Sequence, residues 1–352
     1  MPKIAIVGAS GKLGGATLSA LLKHQLAPAS DVIALTSSTP DTETWTKLSS
    51  TGVEVRHARF EDSATFERAL RGVDRLFLVS TPNVGLDFGV TMDFDGTAAE
   101  PKDSERPGRE RHHKNAIDAA VKAGVKWIVY SSLAFGFSGG PSNASKAGVM
   151  RAHLRTEAYL RSIHSRHGVD VTVLREGLYN ESWPLYLGYF ASGDARGERD
   201  VVPLAGDGKI CWTAIHDLGV ASAIVLTSKP GGDTKEEDFV GKTFYLSTRP
   251  QTAKTMAEIA QIVGKARARE LQVKIVGRQE HVRYYSEERG QSKIAVEWWV
   301  GTYEALEDGE CLVDDPTLET LLSRVGLSPI PVEETVTAMV NGQGSWKSRQ
   351  EA

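Results

Sequence analysis

The fold of this chain is decided by the stretch Ile4-Ala5-Ile6-Val7-Gly8-Ala9-Ser10-Gly11-Lys12-Leu13-Gly14. Its four apolar residues predict a buried strand, and the glycines that follow have the spacing G-x-x-G-x-x-G. Apolar residues at helical spacing come next, from Leu13 to Leu22. A strand, a glycine turn and a helix in this order let the backbone approach a pyrophosphate, and the first N–H groups of the helix stabilise its charge.

The pattern therefore predicts a dinucleotide site, with a purely structural glycine turn as the alternative. The residues expected to contact the cofactor here are Gly8, Ser10, Gly11, Lys12, Leu13 and Gly14.

Short apolar runs alternate with helical patterns through the first half of the chain. The candidate strands are residues 4–7, 32–35, 53–55, 76–79, 127–130 and 171–174. Such alternation is typical of β-α-β units whose parallel strands are covered by helices on both faces. We therefore expect an α/β fold with a Rossmann-type, doubly wound parallel sheet and a smaller α/β lobe at the C-terminal end.

The domain organisation follows from changes in this pattern. Residues 1–180 are predicted to form the dinucleotide-binding domain, with an irregular insertion at 83–107 that is a candidate lid over the cleft. Residues 181–340, richer in aromatic residues, are predicted to form a substrate-binding lobe that shares some strands or helices with the first domain. Residues 341–352 form a polar tail.

Composition excludes several classes of protein. The 352 residues carry 41 Lys and Arg against 45 Asp and Glu, a net charge of −4, so no nucleic-acid partner is indicated. Cys211 and Cys311 have no metal-ligand spacing, and no histidine cluster does either, so no metal site is predicted. No apolar run approaches the roughly 18 residues that a membrane span needs, and the first apolar run breaks at Gly8. We expect a cytoplasmic protein that does not bind membranes.

The end of the second strand favours NADP over NAD. An acidic residue that would bind a free ribose 2′-hydroxyl is absent there, and the strand ends in Thr36-Ser37-Ser38. Hydroxyls at these positions, with Lys12 and Arg59, could hold a 2′-phosphate. The alternative is that Lys12 and Arg59 are solvated surface charges.

Several motifs resemble the NmrA-like branch of the atypical short-chain dehydrogenases/reductases. They are the glycine loop, Phe60-Glu61-Asp62, the stretch from His113 to Lys126, Tyr130-Ser131-Ser132-Leu133, His153-Leu154-Arg155-Thr156-Glu157, the stretch from Leu174 to Asn180, and Asp217-Leu218-Gly219. The resemblance implies an NADPH-dependent quinone or dye reductase, or a regulator that senses the dinucleotide. Two features depart from the family: Arg59 replaces an acidic residue, and the insertion at 83–107 is long.

Ligands of such folds lie outside the carboxyl ends of the strands. We therefore expect Ser80, Thr81, Ser131 and Leu178 near the nicotinamide, while the resemblance places Phe60 near the adenine. A typical short-chain dehydrogenase carries Tyr-x-x-x-Lys on the following helix, and this chain has none. By resemblance, Val149 occupies the tyrosine position and His153 the lysine position.

The candidate catalytic residues are Ser132 and His153. Ser132 could bind a substrate oxygen, or only satisfy backbone groups at the strand end. His153 and Glu157 share a helix face, where the carboxylate could raise the pKa of the imidazole. His153 would then bind the nicotinamide ribose or relay a proton. The alternative is a helix-surface pair without chemistry.

Five later residues are candidates for substrate contact, since they follow the sixth strand or could stack on a planar molecule. They are Tyr179, Asn180, Trp183, Tyr186 and Trp212. For the aromatic ones, packing in the core is the alternative.

The absence of Tyr-x-x-x-Lys favours acceptors whose charge is delocalised after hydride addition. The leading hypothesis is an NADPH-dependent reductase of an aromatic or polycyclic quinone, conjugated carbonyl or imine, for example in secondary metabolism. One alternative is an NADP-sensing regulator that contacts a protein partner. Another is a cyclase or isomerase that uses bound NADP to shape its pocket.

Overall fold

The computed structural model describes residues 2–88, 108–190, 199–229 and 238–342. Its strands are β1 Ile4–Val7, β2 Val32–Thr36, β3 Glu54–His57, β4 Arg75–Val79, β5 Trp127–Leu133, β6 Asp170–Glu176, β7 Val201–Leu204, β8 Thr243–Leu246 and β9 Gln272–Ile275. Its helices are α1 Lys12–Lys23, α2 Glu43–Ser49, α3 Ser63–Ala69, α4 Glu110–Ala123, α5 Met150–His167, α6 Trp183–Tyr186, α7 Ile215–Thr227, α8 Met256–Arg267, α9 Arg278–Arg283, α10 Lys293–Glu307, α11 Thr317–Ser323 and α12 Val332–Val340.

The main sheet has the order β3-β2-β1-β4-β5-β6-β8, and every neighbouring pair is parallel. The direction of winding reverses between β1 and β4, which is the point where doubly wound sheets open a ligand crevice. The predicted Rossmann-type fold is confirmed, and all six predicted strands occur. β5 and β6 run further than their apolar runs, because pairing continues through Ser131, Ser132, Arg175 and Glu176.

Helices cover both faces of this sheet. α1, α7 and α11 pack on one face, around a core that includes Leu21, Leu218 and Leu321. α3, α4 and α5 pack on the other, around Phe66, Ile117 and Leu160. Three elements from beyond residue 180 belong to this domain, since α7 packs on α1, α11 packs on α7, and β8 pairs with β6.

The second lobe has a separate core. It is built from α8, α10 and α12, with the two parallel strands β7 and β9 at its side. Aromatic side chains fill much of this core, among them Trp183, Tyr186, Trp212 and Trp299.

Part of the predicted insertion at 83–107 is described. Residues Val84–Asp87 form one turn of 3-10 helix, and the chain is described again from Gly108. The candidate lid itself and nearly all of the tail lie outside the described residues. Among the helices that the structure describes, none is long and apolar enough to cross a bilayer.

Candidate active site

The glycine turn between β1 and α1 forms a tight cradle. Gly8 has a φ of +66°, which favours glycine, and its carbonyl accepts a hydrogen bond from the Gly11 N–H at 2.7 Å. A Cβ at Gly14 would overlap the carbonyl oxygen of Gly8 and would lie 2.8 Å from its carbonyl carbon. Only a glycine at position 14 lets the helix start this close to the strand.

The start of α1 is open to an anion. Gly11 caps the helix without a side-chain hydrogen bond, and the first turn holds no acidic residue. Lys12 is exposed there, and the Ser10 hydroxyl lies 3.3 Å from that of Thr36. Free N–H groups, a positive helix end and a nearby lysine fit a diphosphate.

The end of β2 holds the predicted 2′-phosphate residues. Thr36 is buried and its hydroxyl accepts a hydrogen bond from the Ser38 N–H at 3.2 Å, while Ser37 is exposed. His57, which the sequence analysis did not select, donates from Nδ1 to the Ser38 carbonyl at 3.0 Å. Arg59 is exposed and lies 3.7 Å from Glu61. Contact of Ser37 and Ser38 with a 2′-phosphate stays a prediction, whereas Arg59 already has an acidic neighbour.

Phe60 lies beside this region and is half-buried. Its ring contacts Phe66 at 5.4 Å between centroids and stacks on His112 at 6.1 Å. Its carbonyl accepts a hydrogen bond from Asn115 at 2.9 Å. The ring is thus held by the protein, and contact with an adenine stays a prediction.

His113 organises the end of β4. Its Nε2 accepts the Thr81 N–H at 3.1 Å and lies 3.2 Å from the Ser80 hydroxyl. Its Nδ1 therefore carries the hydrogen and donates to the Thr156 hydroxyl at 2.7 Å. Burial lowers the pKa of His113 well below its usual value, with a smaller contribution from Arg109. A neutral imidazole thus fixes Ser80 and Thr81 at the sheet edge.

His153 belongs to the same cluster. The Tyr130 hydroxyl lies 2.9 Å from His153 Nδ1, and burial keeps the pKa of Tyr130 above its usual value. Burial also lowers the pKa of His153 well below its usual value. The predicted pairing with Glu157 is wrong, because Glu157 faces other partners and the pKa moves in the opposite direction.

Those partners of Glu157 are Arg175 and Ser132. Arg175 donates to both carboxylate oxygens, at 3.1 and 2.8 Å, and the Ser132 hydroxyl donates at 2.6 Å. Arg175 and Glu157 are each 1% exposed. This hydrogen bond engages the Ser132 hydroxyl inside the protein, so a catalytic role for Ser132 finds no support in its geometry.

Arg109 is a further buried residue at this edge. Its Nε lies 2.7 Å from Asp87, and its Nη2 donates to the Val149 carbonyl at 2.9 Å. Its Nη1 lies 3.4 Å from the Ser80 hydroxyl. Burial raises the pKa of Asp87, although Arg109 opposes this. The pair joins residues on either side of the segment 89–107 and places a cation beside Ser80.

A second carboxyl group is buried on the other face of the sheet. Glu176 Oε2 accepts hydrogen bonds from the Ser131 and Tyr179 hydroxyls, both at 3.0 Å. Its Oε1 has no hydrogen-bond partner, and the residue is 0% exposed. Burial raises the pKa of Glu176 to about 8.

Most of the predicted substrate residues lie in the second core. Trp183, Tyr186 and Trp212 are 2%, 5% and 2% exposed, and the Tyr186 ring packs on Trp212 and Trp299 at 5.4 and 5.2 Å. The core alternative therefore applies to these three residues, because an aromatic cluster is more stable away from water.

Asn180 and Leu178 are buried as well. Asn180 donates to the Ile330 carbonyl and to Thr335 in the C-terminal part of the chain. Leu178 is 2% exposed and contributes to the second core. Of the substrate candidates, Tyr179 alone is half-buried rather than buried.

A cavity of about 610 Å³ opens between the β5–α5 loop and α10. Phe137 and Trp298 supply its aromatic walls, and Arg151 lies at its side. Glu310 fixes the loop, because its carboxylate accepts the N–H groups of Gly136 and Lys146 at 3.0 and 2.9 Å. The cavity therefore has one wall from each lobe.

Comparison with known proteins identifies the family. The sequence profile of the NmrA-like family matches residues 2–308. The chain belongs to the NmrA-like family. It is 30% identical over 345 residues to an NmrA-like family domain-containing oxidoreductase, flvB, of Aspergillus flavus, covering 97% of this chain and 96% of that protein. It is 32% identical over 247 residues to quinone oxidoreductase 2 of Escherichia coli, covering 70% and 71%. The predicted resemblance is confirmed.

Two solved structures are similar to the chain over nearly its whole length. The NADPH complex of the Escherichia coli NADPH-dependent quinone oxidoreductase superposes with a TM-score of 0.71 at 26% identity, covering 96% of this chain and 99% of that one. The triphenylmethane reductase of Citrobacter sp. superposes with a TM-score of 0.69 at 25% identity, covering 96% and 99%.

Besides His57, four buried residues of the site were missed from the sequence. They are Arg109, His113, Tyr130 and Glu176. His113 precedes Ala116, Ile117 and Ala120 by three, four and seven positions, which places it on the buried stripe of α4. Arg175-Glu176 ends a strand that helices cover on both faces. Successive side chains of a strand point to opposite faces, so each of these two charged groups is buried in a different layer. The buried stripe of α4 and the charged end of this strand could both be seen in the sequence.

Proposed function

We propose that this NmrA-like protein reduces a quinone or another conjugated carbonyl or imine with NADPH. That the chain is an oxidoreductase with NADP(H) as its cofactor follows from its family and from relatives that are named oxidoreductases and solved with NADPH. The observation that carries the proposal is the intact glycine cradle in a chain of this family. The acceptor class and a role in secondary metabolism remain predictions.

The residues present fit the cofactor. The glycine turn and the start of α1 would hold the diphosphate, and the hydroxyls of Thr36, Ser37 and Ser38 would hold the 2′-phosphate. His153, which stands at the lysine position by resemblance, would bind the nicotinamide ribose. Bound NADPH would supply a hydride at the carboxyl edge of β4, β5 and β6.

The described residues at the usual catalytic positions favour one class of acceptor. By resemblance, Val149 stands at the position of the usual catalytic tyrosine, and it has no hydroxyl. His113 and His153 are held neutral, so neither has a spare proton to give at neutral pH. Hydride addition is then easiest to acceptors that spread the resulting negative charge over a conjugated system.

The experiment combines binding with turnover. Calorimetry with NADPH and NADH should show tighter binding of NADPH, and absorbance should show NADPH oxidation with a quinone or a cationic triarylmethyl dye. NADPH binding without oxidation of any acceptor would contradict the proposal and support the sensing regulator.

A matched pair of glycine variants tests the cradle. Gly14→Ala should weaken NADPH binding by about tenfold or more, because the new methyl group pushes α1 away from Gly8. Gly277→Ala is the control, since a Cβ there meets nothing within 4 Å. Equal NADPH affinities of the two variants would contradict binding at the glycine turn.

A further inference from the structure

Glu176 occupies an unusual place for a carboxyl group. It is the last residue of β6, it is fully buried, and it lies on the face of the sheet that α1 covers. The same edge of β4, β5 and β6 is where the proposed function places the nicotinamide. The group is thus buried beside the proposed reaction site, and no step described above uses it.

The contacts of Glu176 favour its neutral form. Two hydroxyls, from Ser131 and Tyr179, bond to Oε2, and Oε1 has no hydrogen-bond partner. Among the described residues no Arg or Lys forms an ion pair with it. A carboxylate with one bare oxygen and no counter-ion is costly to bury, whereas the neutral acid is not.

The proton of the neutral acid is more stable on Oε2 of Glu176 than on Oε1. Oε1 has no acceptor to bond, so a proton on Oε2 gains a hydrogen bond to a hydroxyl oxygen. The 3.0 Å contact with Tyr179 can then run from the acid to the phenol as well as in the opposite direction.

Tyr179 is the half-buried member of this pair, directly after the sheet edge. Burial raises the pKa of Tyr179 well above its usual value, and the nearby Glu181 raises it further. The Glu181 carboxylate accepts a hydrogen bond from the Ile215 N–H. Burial raises the pKa of Glu181, and the charge of Lys12 opposes that rise. Tyr179 therefore keeps its own proton until an acceptor takes it.

We propose that Glu176 and Tyr179 supply the proton that completes quinone reduction, which rests on the proposed function. After hydride transfer the acceptor oxygen carries a negative charge. The Tyr179 O–H bond breaks as a new O–H bond forms on the acceptor, and Glu176 gives its proton to the Tyr179 oxygen. Glu176 is left as a carboxylate and regains a proton from water. One hydride and one proton are consumed.

Two kinds of acceptor separate this role from a structural one. A quinone needs a proton after it accepts hydride, whereas a triarylmethyl cation becomes a neutral product by hydride addition alone. Glu176→Gln should therefore slow quinone turnover by about 100-fold, within the range of general acid catalysis, and change dye turnover less than threefold. Tyr179→Phe should show the same split.

The control variant is Tyr303→Phe, which removes a buried hydroxyl bonded to the Tyr186 carbonyl in the second lobe. It should slow neither acceptor selectively. Equal losses with quinone and dye in Glu176→Gln, or no loss with either, would overturn the inference while leaving the reductase intact. A wild type that reduces neither acceptor would overturn the proposed function and the inference with it.

A readout without turnover covers the case in which a variant folds poorly. Infrared spectra of the wild type at pH 6.5 should contain the carbonyl band of a protonated carboxylic acid, and the band should disappear on titration through about pH 8. Glu176→Gln should lack it, and Tyr303→Phe should keep it. A wild type without the band at pH 6.5 would overturn the inference, because no proton would be stored.

Discussion

Two glutamates are buried beside the end of β6, Glu157 in helix α5 and Glu176 in the strand itself, and they differ in every contact. Glu157 meets Arg175 with both of its oxygens and also accepts from Ser132. Glu176, the neighbour of Arg175 in the chain, lies on the opposite face and meets only the hydroxyls of Ser131 and Tyr179. One carboxyl group is neutralised by a cation, and the other by its own proton.

The difference separates a structural group from a reactive one. A buried carboxylate with a bidentate arginine has its charge balanced and has no reason to exchange protons. A buried carboxyl group with a bare oxygen must keep its proton, and it releases that proton when a stronger acceptor arrives. Burial alone therefore does not tell which role a glutamate has, and the partners do.

The largest expected effect is on stability, when the ion pair between Glu157 and Arg175 is broken. Glu157→Ala should lower the free energy of unfolding by about 3–5 kcal/mol, because it leaves the Arg175 cation buried without its partner. Chemical denaturation at pH 7 measures this. A loss below about 1 kcal/mol, the size expected of an exposed pair, would show that the Glu157 pair does not balance a buried charge.

The next effect separates the two glutamates by pH. Burial raises the folded-state pKa of Glu176 to about 8, above its unfolded value, so its contribution to stability is full at low pH and is lost as the pH rises. Between pH 5 and pH 7 the unfolded chain gives up this proton and the folded chain keeps it. The wild type should lose about 3 kcal/mol relative to Glu176→Gln over this range. A difference that does not change with pH would contradict a protonated Glu176.

The smallest effect compares two adjacent serines. Ser132→Ala removes a hydrogen bond to the ion-paired Glu157 and should cost about 2 kcal/mol, while Ser131→Ala removes one to Glu176 and should cost about 1 kcal/mol. Ser131→Ala should also raise the pKa of Glu176, since that hydrogen bond lowers it. Titration of the infrared band in both variants measures this. A pKa shift in Ser132→Ala instead would contradict the separation of the two faces.

The sequence predicted the fold and the glycine cradle because both depend on local patterns. Apolar runs marked the strands, and the spacing of Gly8, Gly11 and Gly14 marked the turn. The partners of His153 were predicted wrongly, because helix spacing placed Glu157 beside it while Arg175 and Ser132, far away in the chain, bind Glu157 instead. Tyr130 reaches His153 from β5. Such contacts arise from the packing of the sheet on α5, which no local pattern records.

The roles of the aromatic residues in the second lobe could not be predicted from the sequence either. Trp183, Tyr186 and Trp212 have the composition of a binding site and the burial of a core. Spacing could not separate these alternatives, because an aromatic ring gains from either environment.

Hydride transfer from NADPH by this chain can be measured by following the transferred atom. NADPH deuterated at both C4 positions should be oxidised with a triarylmethyl cation as acceptor, and the product should be examined by mass spectrometry. We predict one deuterium per product molecule, bound to the central carbon. A reduced product without deuterium, or deuterated NADPH that binds and is not oxidised, would contradict hydride transfer by this chain.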